Sequence, residues 1–63
     1  MTEMMLLHKS LTRRLEVLQD ALDTSRELKN EEQTEKNLAR WQEVREVLKM
    51  MERIDPECTK WEA

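Results

Sequence analysis

His8 and Cys58 are the residues of this sequence with metal-ligand or nucleophile chemistry, and there is one of each type. A zinc site draws three or four ligands from His, Cys and carboxylates at characteristic spacings. Fifty residues of charged, helix-forming sequence separate these two, and Cys58 has no CxxC companion. A packed or half-exposed imidazole is therefore expected for His8, and oxidative crosslinking between two copies for Cys58. Carboxylates recur four apart, as in Glu16/Asp20 and Glu31/Glu35. On exposed helix faces such pairs keep ordinary acidity and hold no substrate, so general acid–base catalysis is not expected. The sequence contains no glycine, which removes the phosphate-cradling loops of nucleotide sites. The expectation is a protein with no catalytic residues, no metal and no cofactor.

The basic residues offer a second chemistry. Arg45, Lys49 and Arg53 recur every four residues and form a ridge on a helix, while Lys9 and Arg13 form a shorter one. Either ridge could meet phosphates of RNA or DNA. Glu46 and Glu52 flank the longer ridge, Glu16 and Asp20 continue the shorter, and the formal net charge is −3. No aromatic side chain lies among these exposed bases to stack on nucleotides. Solvated faces of mixed charge are the expectation, and nucleic-acid binding through Arg45, Lys49 and Arg53 is the alternative.

The elements that carry these groups follow from composition. In 63 residues, 40% of them charged, there is room for one domain and none for a cleft between two layers of structure. The longest apolar run, Met4 to Leu7, is too short for a membrane span, and one cysteine fits a reducing compartment, so a cytoplasmic protein is expected. Leu, Glu, Lys, Arg, Met and Gln dominate, and nothing breaks a helix before Pro56. Met4, Leu7, Leu11, Leu15, Leu18, Ala21, Leu22 and Leu28 fall on one helical stripe. Thr2 is placed to cap it, with Glu3 in the first turn.

Residues 29–37 contain no apolar side chain and are expected to hold no buried seam. A second stripe runs Leu38, Trp41, Val44, Val47, Leu48, Met51, Ile54. Carrying the first heptad register into it would put Lys36, Glu43, Glu46 and Arg53 on the seam, against one uninterrupted coiled coil. Asn30 suits a turn, as a residue tolerant of left-handed backbone and as an N-cap with Gln33 at capping-box spacing. The expected fold is thus all-α: an antiparallel helical hairpin over residues 1–55 with its turn near residues 29–32. A single bent helix pairing with another chain is the alternative. Leu18 then lies level with Trp41, Leu15 with Val44 and Leu11 with Leu48, and Arg14 is within reach of Glu46. Asp55-Pro56-Glu57 ends the second helix and starts a tail, residues 56–63, that forms a short helical turn bringing Trp61 back or else frays.

Two helices alone leave each stripe half covered, and so small a chain needs a staple, a metal or a partner. Dimerisation into a four-helix bundle is expected, with folding onto a larger partner as second choice. Leu11, Leu15, Leu18, Leu22, Trp41, Val44, Leu48 and Met51 are the expected core or dimer residues. Met4, Met5, Val17, Met50, Ile54 and Trp61, from the Met-rich open end or off the main stripe, are the expected contacts for a partner protein.

In size and layout the chain resembles the Rop-like regulators of plasmid copy number, RNA-binding hairpins that dimerise into four-helix bundles. It departs from them in lacking the exposed aromatic of their RNA face. The Met1-Thr2-Glu3-Met4-Met5 opening, the high charge and Trp61 near the end also resemble small accessory proteins of the exo–xis region of lambda-like phages. That resemblance implies an early-expressed, non-enzymatic regulator that adjusts host physiology or the lysis–lysogeny choice through host proteins.

Overall fold

A computed structural model describes residues 1–62 of the protein. It is all-helical: α1 spans Glu3–Glu27, α2 spans Glu31–Ile54, and a short 3-10 helix, η1, spans Pro56–Glu62. Among the described residues there is no strand.

Each helix starts on the side chain its sequence provides. Thr2 accepts the Met5 amide at 3.2 Å, and Glu3 sits in the positive first turn of α1. Asn30 accepts the Gln33 amide at 3.2 Å at the head of α2. The capping box is half made. Asn30's own amide is taken by the Ser25 carbonyl at 3.0 Å, and the Gln33 side chain instead donates to Asn37 Oδ1. The left-handed residue of the turn is Lys29, with φ 55°, and Asn30 keeps a negative φ. The Lys29 amide reaches Arg26 O at 3.1 Å while the Asn30 amide reaches Ser25 O. That pair of bonds is the Schellman motif, usually closed by glycine. In a chain without glycine, lysine takes that place.

The contacts between α1 and α2 run in opposite order along the two helices. Thr34 Oγ1 lies 3.1 Å from Ser25 Oγ, Asn37 Nδ2 donates to the Ala21 carbonyl at 3.3 Å, and His8 faces Glu52. Contrary to expectation, the polar stretch 29–37 does contribute to a buried seam. Asn37 and Ser25 are buried, but they are held by hydrogen bonds rather than by apolar packing. A polar pair can stand in a seam when each donor and acceptor is met.

Leu22, Leu48, Met51 and Cys58 form the buried apolar core. Leu11, Leu15, Leu18, Trp41 and Val44, expected beside them, are half-buried. Leu7, Leu28, Val47 and Ile54, read from the stripes as seam residues, are exposed, Leu28 and Ile54 by about three-quarters (74% and 76%). Leu28 is the C-cap of α1, and Ile54, in the last turn of α2 level with the first turns of α1, lies outside the contact between the two helices.

Candidate functional site

Asp55 makes the sharp exit from α2. Its side chain accepts the Glu57 amide at 3.2 Å and its carbonyl the Cys58 amide at 3.0 Å, which launches η1. η1 folds back to touch both long helices. The Cys58 side chain is fully buried beneath it. Burial foremost, then the negative charges of Asp55 and Glu52, push its thiol above the ordinary range, while a backbone hydrogen bond works weakly the other way. A neutral, covered thiol is a poor nucleophile. The crosslinking expected of Cys58 is therefore corrected: the sulfur is inside, and an oxidant reaches it only if η1 lifts away.

Trp61 closes the arrangement. Its indole Nε1–H donates to His8 Nδ1 at 2.7 Å, with the rings tilted 52° and their centroids 5.8 Å apart. Because an indole only donates, Nδ1 must be the unprotonated nitrogen, which puts the neutral imidazole's proton on Nε2. That nitrogen faces Glu52 Oε1 at 3.4 Å. Thr12 Oγ1 donates to the His8 carbonyl at 2.8 Å and fixes the backbone behind the ring. His8 is only 3% exposed, and with both ring nitrogens occupied it has no lone pair free for a metal or a substrate proton. Among the described residues no group of three or more His, Cys, Asp or Glu is placed to hold a metal. No buried side-chain nitrogen or oxygen there lacks a partner.

Outside this polar core lie the two surfaces singled out from sequence. In the basic ridge, Arg45 stacks over Trp41 with its guanidinium carbon 5.0 Å from the ring, and Lys49 pairs with Glu46 at 3.8 Å. Arg53 sits in the last turn of α2. Glu46 thus pairs along its own helix rather than across to Arg14. The set expected to contact a partner is divided by the fold. Trp61, Met4 and Met5 are half-buried, whereas Val17, Met50 and Ile54 are exposed. Only Trp61 belongs to the hydrogen-bonded core under η1.

Sequence reasoning missed Ser25 and Asn37 as seam residues and the pairing of Trp61 with His8. A signal for the first existed in position, since Asn37 lies one turn before Trp41 on the second stripe. No protein-family model, curated protein or solved structure matches the chain. No helix among the described residues is long and apolar enough to cross a membrane.

Proposed function

We propose that this chain is a small non-enzymatic regulatory or accessory protein that acts through protein–protein contacts. In this reading it is a helical hairpin that pairs with a second copy into a four-helix bundle, without a cofactor. Its place among phage-type accessory proteins, acting in a host cytoplasm, belongs to the same proposal and draws on size and composition alone. The observation that carries the reading is the large apolar surface left in water. Val17 is 67% exposed, with Leu28, Met50 and Ile54 comparably open. Burying side chains of this size yields about 1.5–3 kcal/mol each, so covering several at once supplies a driving force for association.

The competing nucleic-acid reading is weakened by the engagement of Arg45 with Trp41 and of Lys49 with Glu46. Sedimentation velocity combined with fluorescence-anisotropy titration against duplex DNA and structured RNA tests the two. Self-association with no nucleic-acid binding is expected. Tight binding that falls steeply with salt and is lost on charge reversal at Arg45, Lys49 and Arg53 would replace the proposal with a nucleic-acid binder.

A further inference from the structure

The two flanks of the α1–α2 layer are unlike. On one, His8, Thr12 and Leu15 of α1 and Arg45, Leu48 and Glu52 of α2 line a cleft together with Glu62 of η1. On the other flank, a second cleft is lined by Arg14, Val17 and Leu18 of α1 and by Arg40, Glu43 and Val44 of α2. No residue of η1 lines it. From Glu43, steps of four, three and four residues lead along one face of α2 through Val47 and Met50 to Ile54. On α1, Leu7 lies two turns before Arg14, and Leu28 three turns beyond Val17, on the corresponding face. The open flank therefore gathers Leu7, Val17, Leu28, Val47, Met50 and Ile54, all exposed.

We infer that this open flank is the surface on which a second copy of the chain seats, through a two-fold axis passing near Arg14, Arg40 and Glu43. The inference rests on the four-helix reading above and names its interface. Arg14, Arg40 and Glu43 sit near the middle of their helices, and among the described residues none takes part in an ion pair within the chain. A two-fold axis across the helices through such a cluster lays α2 on its own copy, so that Glu43 of each copy meets Arg40 of the other. The same operation lays the end bearing Leu7, Met50 and Ile54 over the opposite end of the partner, which bears Leu28. Leu28 then meets the apolar end of the partner, and Glu43 meets Arg40 at the centre. The size also fits. The molecule measures 40 × 18 Å across its two longest dimensions, so one face offers on the order of the 800 Å² per partner of a standard stable interface.

Sedimentation equilibrium across a concentration series tests this, with variants confined to exposed positions. Wild type is expected to dimerise. Val17→Glu and Met50→Glu should each weaken the dimer about a hundredfold or more, since each leaves a charge buried in an apolar contact. Arg45→Glu, on the covered flank, should leave assembly unchanged. Glu43→Arg should weaken association by placing like charges across the axis, and the double variant Arg40→Glu/Glu43→Arg should restore it. A wild type that stays monomeric at every concentration overturns both the interface and the bundle. A dimer indifferent to Val17→Glu and Met50→Glu overturns this interface and leaves the bundle reading standing. A double variant no tighter than Glu43→Arg alone overturns the two-fold register.

Discussion

Trp61 and His8, 53 residues apart in sequence, share a hydrogen bond of 2.7 Å that fastens η1 to the first helix. The donor is fixed by chemistry, so the bond determines the state of the ring. Nitrogen-detected NMR at neutral pH is expected to show His8 as the tautomer protonated at Nε2, with Nδ1 bare. Trp61→Phe keeps most of the packing and removes the donor, leaving a buried acceptor unpaired, and should destabilise the fold by about 1–3 kcal/mol. Adding His8→Leu removes the orphaned acceptor as well. The double variant should therefore lose clearly less than the sum of the single losses. Additive losses in chemical denaturation would show that the bond carries no coupling.

Cys58 supplies a pH dependence with a definite sign. In the folded chain its thiol is raised by burial and by the charges of Asp55 and Glu52. In the unfolded chain it ionises at its ordinary value of about 8.5. Above that value the unfolded state sheds a proton that the folded state retains, which favours unfolding. The contribution is fully present below the unfolded value and is lost as pH rises toward and through the folded one. Wild type should lose stability from about pH 9 upward more steeply than Cys58→Ala, with parallel curves below pH 8. Alkylation by iodoacetamide under native conditions should be slow, and faster in Trp61→Phe, where the cover is loosened.

Why so much of the architecture was legible, and the site so little, comes down to which residues report on long-range contacts. Thr2, Asn30 and Pro56 act locally, through caps and a fixed backbone angle, and the helix ends fall where they indicate. The apolar stripes give Leu22, Leu48 and Met51 as core because a spacing of three and four already defines a face. The same spacing cannot tell where cover stops, and Leu28 and Ile54, which lie on the two stripes, are exposed. His8 and Trp61 meet because Asp55 turns the chain back; Asp55-Pro56-Glu57 indicates a helical turn that can return Trp61, but no local pattern names His8 as its partner.

Lys29 holds a left-handed backbone, φ 55°, in the turn between the long helices. A side chain there crowds the following carbonyl, by roughly 1–2 kcal/mol in the left-handed region. Lys29→Gly is expected to raise stability by about 1 kcal/mol, part of the relief being offset by the freer unfolded chain. Lys29→Val should lower it, since a β-branched residue fits this region worst. Asn30→Ala, which removes the cap on Gln33, should cost about 1 kcal/mol. Thermal unfolding followed by circular dichroism at one fixed protein concentration checks all three.

Asn37 distinguishes stability from specificity. Its amide donates to the Ala21 carbonyl at 3.3 Å and accepts from Gln33 at 3.4 Å, in the part of the seam that also buries Ser25. The Ala21 carbonyl already belongs to the helix, so removing Asn37 leaves no buried backbone group unpaired. Asn37→Leu replaces a polar pair with apolar contact and should be neutral or stabilising by up to about 1 kcal/mol. A buried polar residue in a helical seam can instead fix alignment, because displacing it strands its hydrogen-bonding groups. In Asn37→Leu the amides of α2 near Thr34 should accordingly exchange faster with solvent even as the melting temperature holds. Should that variant melt several degrees lower, Asn37 would be a source of stability and not of alignment.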